Sequence, residues 1–340
     1  VFSVIARQIR FAAISIAGSL MSLSALGYAA TPASAPNAPA ALTATPAHPS
    51  KATSAPVIDW CGRFAQRLPS VTNADCQRIA LTPSGGTSVN GFPLLVKHVT
   101  PKSGEIKSTP SAAAQPIRIM LLGGIHGDEM TASAIVFQWM QWMQSAPAQN
   151  FEWMVAPLVN PDGMLAATPT RVNAHGVDLN RNFPTPGWQR DAPHYWNKVT
   201  GSDPRRFPGA APLSEPETRW LNEQMERFKP EVVISVHAPY GVLDFDGPAP
   251  TPRQFGRLIF NPVGVYPGSL GNYSGVHKNV PVITIELPNA TAMPADTEVK
   301  RIWLDMLAWI QRNVRKGDVS SPVAATLSAH AASKAAPSPH

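Results

Sequence analysis

Three side chains able to ligate a metal stand where buried stretches of this chain stop. In "LLGGIHGDEM" an apolar run ends in two glycines, and His126 and Glu129 follow at an H-x-x-E spacing. An imidazole and a carboxylate so spaced reach one ion where the backbone turns from strand into helix, and the glycines let the backbone approach closely. Such a pair also arises by chance. His237, however, ends "VVISVH", and Glu286 ends "VITIE". Two His and one Glu with an open fourth position make a catalytic zinc set, whose reactive group is water. Glu286 closes the most apolar stretch and is costly to bury without a task, which makes it the candidate general base. The alternative is a salt bridge at a sheet edge. Asn160 also follows a strand-like run, and Asp128 reads as an exposed carboxylate at a helix start.

Between these points, "RVNAHGVDLNRNFP" gathers Arg171, Asn173, Asp178, Asn180, Arg181 and Asn182. Guanidinium forks suit a carboxylate or a developing oxyanion. A solvated basic loop is the plainer reading of the same residues.

Such side chains need a scaffold that brings strand ends together. "IRIMLL", "EWMVAPLV", "EVVISVH" and "VPVITIEL" are continuous apolar runs rich in β-branched residues, as in strands buried on both faces. "FPLLVKHV" follows the turn "SVNG" as a further strand, and "DWCGRFAQRL" reads as a short helix. Apolar-faced helices are expected in "EMTASAIVFQWMQWMQ" and "DTEVKRIWLDMLAWIQRNV". A long polar loop is expected from Asn160 to Leu213, followed by a helix that Ser214 and Glu217 open as a capping box. The alternation predicts an α/β fold: a mixed, mostly parallel sheet with helices on both faces. Ligands bind such sheets beyond the carboxyl ends of the strands. That is where His126, Asn160, His237 and Glu286 fall.

The chain has 340 residues, 44% hydrophobic and 15% charged, enough for a sizeable core. Residues 1–30 read as a signal peptide: Arg7 and Arg10 precede an apolar run over residues 11–26 and small residues around Gly27 to Ala29. An uncleaved anchor is the alternative. Residues 31–56 form an Ala/Pro/Ser-rich linker, residues 57–316 the catalytic domain, and residues 317–340 a disordered tail. The net charge of +6 comes with no Lys/Arg cluster, so no nucleic-acid partner is expected. Export, to the periplasm in a Gram-negative source, makes a Cys61–Cys76 disulfide the default, with free buried thiols the alternative. Once the signal is cleaved no stable membrane insertion is expected, and the protein should act as a monomer.

Taken in order, "HGDE", "NPDG", "RVNAHGVDLNRNF", "ISVHAP" and "TIELP" resemble the zinc metallocarboxypeptidases of the carboxypeptidase A-like fold. The match runs from about Thr87 to Val314. The resemblance implies one zinc ion on His126, Glu129 and His237, with Glu286 as base for the attacking water and then proton donor to the leaving amine. It implies that Arg171 stabilises the oxyanion, that Asn180 and Arg181 grip the carboxylate of the released residue, and that Asp178 orients His126. "HAPYGVLDFDGP" and "YPGSLGNYSG" resemble the bacterial murein peptide amidase branch, whose members cut the γ-D-glutamyl–meso-diaminopimelate bond of peptidoglycan peptides. Asp244 and Asp246 share a face if their segment is extended, and Asp246 is the candidate partner for the extra amine of diaminopimelate. A turn aspartate ahead of Gly247 is the alternative. Leu270 falls near the expected floor of the specificity pocket and does not explain such a preference. Tyr266 and Tyr273 compete for the family's substrate-capping tyrosine. Two other enzyme readings are a general metallocarboxypeptidase releasing C-terminal L-residues and a deacylase resembling aspartoacylase or succinylglutamate desuccinylase. A non-catalytic wall-binding protein is a further one, but it would be expected to have lost ligands or base.

Overall fold

The computed structural model describes residues 59–101 and 115–314. The expected signal, linker and tail lie outside the described residues. So do both ends of the expected domain.

The described chain opens with α1 (Trp60–Arg67) and α2 (Asn73–Ile79), capped by Asp59 on Gly62 N and by Thr72 on Asp75 N. Cys61 and Cys76 join them in a disulfide. A closed loop of this size stabilises by about 3 kcal/mol on the chain-entropy account. The Cys61→Ser/Cys76→Ser double variant should therefore melt well below wild type. An unchanged melting temperature by calorimetry would mean that the bridge is energetically idle.

β1 (Thr82–Thr87) and β2 (Pro93–Val99) pair antiparallel across the "SVNG" turn, where Gly91 has φ +80°. β1 was not expected, because "TPSGGT" lacks apolar alternation. The second of its two glycines has a packing reason: a Cβ on Gly86 would run into the indole of Trp220. Then come β3 (Arg118–Leu122), α3 (Met130–Met140), β4 (Glu152–Ala156), α4 (Pro161–Leu165), α5 (Trp188–His194), α6 (Pro216–Phe228), β5 (Val232–His237) and β6 (Leu243–Asp246). A two-strand ribbon, β7 (Gln254–Phe255) with β8 (Leu258–Ile259), precedes β9 (Val282–Glu286) and α7 (Asp296–Asn313).

Seven strands form one sheet in the order β1-β2-β4-β3-β5-β9-β6. Its centre, β4-β3-β5-β9, is parallel, and the pairings of β1, β2 and β6 are antiparallel. The α/β mixed sheet is thus as expected, with antiparallel edges. Side chains alternate between two cores. Ile119, Leu121, Val155, Ile234, Ile283 and Ile285 pack with α1, α3 and α7; Met120, Leu122, Met154, Val233 and Val282 pack with α6. α3 is buried nearly all round rather than on one face. No described helix is long and apolar enough to cross a membrane.

Two expectations need correction. Ser214 and Glu217 form no capping box. Glu215 is the N-cap of α6 and Pro216 its first residue, while Glu217 is buried and accepts from Val89 N and Asn173 Nδ2. The sequence spacing was right, but Ser214 Oγ donates to Glu215 Oε1 and the Glu217 carboxylate is drawn to donors on Val89 and Asn173. The segment from Asn160 to Leu213 is no solvated loop either. Besides α4 and α5 it holds tight turns at Leu179–Arg181 and Pro204–Arg206, and buried amides stitch it together. Asn182 Nδ2 donates to Pro208 O and Ala211 O, and Asn173 Nδ2 to Glu215 Oε2. Buried polar groups satisfied in this way rigidify a segment that lacks an apolar face.

Candidate metal centre and active site

The parallel centre of the sheet delivers the candidate residues to one edge. His126 follows β3, Asn160 follows β4, and His237 and Glu286 are the last residues of β5 and β9, paired in register. The turn after β3 depends on its glycines. Gly124 has φ +60°, and a Cβ on Gly123 would sit 2.8 Å from Ala132 O and 2.9 Å from Pro157 O. No larger residue lets the chain bend here so close to α3.

His126, Glu129 and His237 are all buried and converge. His126 Nδ1 lies 2.8 Å from Glu129 Oε1 and 3.1 Å from His237 Nδ1, which lies 3.0 Å from Glu129 Oε2. Glu129 sits at the N-cap of α3 yet caps nothing, because its carboxylate is turned to the imidazoles and to Ala238 N. The far nitrogens are occupied: His126 Nε2 is 3.1 Å from Asp178 Oδ1, and His237 Nε2 is 2.9 Å from Ser235 Oγ. A proton on each Nε2 leaves two Nδ1 lone pairs facing one another beside a carboxylate. That arrangement is repulsive without a cation between them. Bonds of about 2.0–2.1 Å in a tetrahedral site set neighbouring ligand atoms about 3.3 Å apart, close to these spacings. The residues present therefore fit a zinc ion.

Asp178 is the keystone beneath this set. Beyond His126, it accepts from Arg171 Nε and Nη2 at 3.0 and 2.9 Å and from Asn180 N at 2.9 Å. Burial alone would raise its pKa, but Arg171 first and His126 next hold it well below the usual carboxylate range. Arg171 then leans over the donors, with Nη1 3.2 Å from His126 Nδ1 and 3.5 Å from Glu129 Oε1. Its carbonyl accepts from Gly127 N and from Asn160 Nδ2, so Asn160 positions the arginine.

Glu286 is buried beside His237, and its Oε2 has no hydrogen-bond partner. Burial pushes its pKa up, His237 opposes this, and Glu129 adds to it. A carboxylate whose pKa is raised by burial takes up a proton more readily than a solvated one, which suits a general base.

Arg181 is buried, with Nη1 donating to Asn180 O, an unpartnered Nε, and its guanidinium 4.3 Å from the Tyr266 ring centre. Asn180 Oδ1 accepts from Leu270 N. Leu270 thus meets the site through its main chain, while its side chain belongs to the α6-side core. Of the two tyrosines, Tyr266 is the one at the site; Tyr273 is buried against Phe183 and bonds Asn222.

Asp244 and Asp246 do share a face. They pair with Thr284 and Val282, on the face that also carries Glu286, while Leu243 and Phe245 face the α7 core. Asp244 accepts from Phe245 N. Asp246 ends β6 against Gly271 and Gly275. Among the described residues its carboxylate has no hydrogen bond or ion pair, and burial, then the Asp244 charge, raise its pKa to about 7.

Sequence reasoning missed two partners. Ser235, two residues before His237, was visible through strand alternation. Asp128 is not an exposed helix-start acid: it is bound by Arg205 at 2.7 Å across 77 residues of chain, which no local pattern signals.

Fold and metal set define a zinc-dependent peptidase, and the chain belongs to the zinc carboxypeptidase family, whose sequence profile matches residues 67–244. It is similar to murein peptide amidase A from Vibrio campbellii, 31% identical over 220 residues, 62% of this chain and 82% of that one. It is likewise similar to murein peptide amidase A from Escherichia coli K12, 30% identical over 211 residues, 59% of this chain and 83% of that one. The fold resembles the crystal structure of carboxypeptidase A from Helicoverpa armigera at 16% identity and a TM-score of 0.51, over 74% of this chain and 71% of that one. The matched range ends before Glu286 and Tyr266, so their places in the site rest on geometry.

Proposed function

We propose that this protein is a one-zinc amidase of peptidoglycan stem peptides that cuts the γ-D-glutamyl–meso-diaminopimelate bond. The observation that carries the bond assignment is Asp246. It is an unpartnered acid on the Glu286 face of the sheet, in a chain similar to murein peptide amidases. Counting strand residues from Glu286 to Val282 puts it about 13 Å below the general base. Only the far end of a long side chain on the released residue reaches that depth, and an amine there would pair with the carboxylate.

Bound to His126, Glu129 and His237, a zinc ion supplies Lewis acidity, polarising a carbonyl and making water acidic near neutral pH. The chain's own groups do the rest. Asn180 and Arg181 hold the carboxylate of the released residue and Tyr266 closes over it. Glu286 takes the proton of the attacking water at the acyl carbon. Arg171 donates to the oxygen on which negative charge develops. Glu286 then returns the proton to the leaving amine. Burial of Glu286 and Arg181 keeps competing water away.

The Arg7/Arg10 apolar segment and the Cys61–Cys76 bridge support a site of action outside the cytoplasm, in the periplasm of a Gram-negative source. A monomer holds every residue this chemistry uses.

Comparing hydrolysis of a γ-D-glutamyl–diaminopimelate peptide with that of an α-linked L-peptide tests the bond assignment. A clear preference for the α-linked peptide would favour a general carboxypeptidase instead. Asp246 makes a separate prediction. An acid whose folded pKa of about 7 lies above the ordinary 3.8 keeps its proton when the unfolded chain has lost it. It therefore costs stability increasingly as pH rises from about 4 to 7. Asp246→Asn should melt higher than wild type at pH 8, converge with it near pH 4, and cleave the diaminopimelate substrate poorly. Unchanged melting together with unchanged cleavage would remove Asp246 from the pocket.

A further inference from the structure

The turn Pro204–Arg206 carries two arginines that the chemistry above leaves without a task, and its position is firm. Trp196 Nε1 donates to Asp203 O at 2.8 Å, and its ring packs on Phe207 with centroids 4.8 Å apart. Asp178 N donates to Phe207 O at 2.8 Å, and Asn182 Nδ2 to Pro208 O at 2.8 Å. The turn is thus fastened to the same loop that carries Asp178, Asn180 and Arg181.

From this turn the two arginines diverge. Arg206 lies within electrostatic range of Arg181 and Tyr266, on the side assigned to the released residue. Arg205 Nη2 reaches Asp128 Oδ2 at 2.7 Å, and Asp128 immediately precedes the metal donor Glu129. Asp128 Oδ1 is buried with no hydrogen-bond partner, so Arg205 is the cation bonded to this carboxylate, with Arg171 also within electrostatic range of it. The Arg205 side chain stays 58% exposed with most of its guanidinium donors unused. Exposed ion pairs add little to stability, so the pair is poorly explained as a brace for the fold. It is better explained as a means of holding a solvent-exposed arginine beside the residue that precedes the metal donor Glu129.

We propose that Arg205, held in place by Asp128, binds a free carboxylate on the acyl-side residue of the substrate and thereby selects γ-linked glutamyl over α-linked acyl residues that carry no carboxylate. This rests on the amidase reading. In a γ-glutamyl amide the α-carboxylate remains free, a short aliphatic arm from the reacting carbonyl. In an α-linked peptide whose acyl residue has a neutral side chain, no charged group stands there. Arg205 would thus read one end of the scissile bond as a carboxylate while Asn180 and Arg181 read the other.

The test uses full-length zinc-loaded protein and two soluble peptides. One carries γ-D-glutamyl–diaminopimelate, and the other is its analogue with the glutamyl α-carboxylate converted to a carboxamide. Wild type should prefer the free acid. Arg205→Ala should lower kcat/KM on the acid about ten- to a hundredfold, the loss of one charge-assisted contact, and by far less on the carboxamide. Arg205→Lys should keep part of the preference. Melting temperature and zinc content report whether each variant is folded. Equal losses on both peptides would reduce Arg205 to a structural part, and no loss on the acid would overturn the proposal. Wild type cleaving acid and carboxamide equally would sink this inference alone, whereas failure to cleave either would sink the amidase reading with it.

Discussion

Replacing Glu286 with Gln is expected to lower kcat about 10²- to 10⁴-fold, the usual worth of a positioned proton-transfer group, while zinc affinity stays near wild type. The backbone reasons are local. Glu286 N donates to Val242 O at 2.9 Å, and Leu287 N donates to His237 O at 2.8 Å, so the residue is fixed at its strand end whatever its side chain carries. The side chain donates to nothing and its Oε2 has no partner, so an amide of the same shape leaves the fold intact. What the amide cannot do is take a proton. Steady-state kinetics with zinc content measured on the same sample separates the cases. A variant that cleaves as fast as wild type would refute the assigned base, and one that loses its zinc would place Glu286 among the ligands instead.

Asp178→Ala should be the most damaging single change to the site as a structure. It removes the acceptor for Arg171 Nε and Nη2, the partner of His126 Nε2 and the acceptor for Asn180 N together. Stranding a half-buried guanidinium costs stability, up to about 3 kcal/mol, the low end for a broken buried pair. Removing the carboxylate behind a ligating histidine costs about 10- to 100-fold in metal affinity. The pH dependence follows from the depressed pKa. Stability from ionised Asp178 is fully present above about pH 4 and is lost only as pH falls through the lower folded value. The gap between wild type and Asp178→Asn should thus persist at neutral pH and close only in strong acid. Melting curves across pH and zinc titrations check both parts. A variant that melts like wild type at pH 7 would contradict the keystone role.

The legible part of this protein was what strand ends dictate. His126, His237 and Glu286 follow continuous apolar runs, and a parallel sheet brings such ends to one edge whatever the loops do. The Arg171–Asn182 segment could be named as chemistry but not placed. Its rigidity comes from Asn173, Asn182 and Glu215 bonding across dozens of residues, and no local period records that. β1 was illegible for the converse reason. "TPSGGT" pairs because β2 and Trp220 are there to receive it. Glu217 shows how a good local pattern loses: the capping spacing is present, but buried donors on Val89 and Asn173 outbid the helix end. Tyr273 lies within the helical segment Gly271–His277 and Tyr266 in the loop ahead of it, and nothing in their spacing says which ring turns to Arg181, so the sequence left both open.

We propose that His126, Glu129 and His237 together hold one zinc ion that drives hydrolysis. The most direct test is the zinc content of the purified protein, measured beside a His126→Ala/His237→Ala variant of confirmed fold. Close to one zinc per wild-type chain and almost none in the variant is the expected result. A metal-free wild type that binds no added zinc, or a variant that keeps a full equivalent, would contradict it.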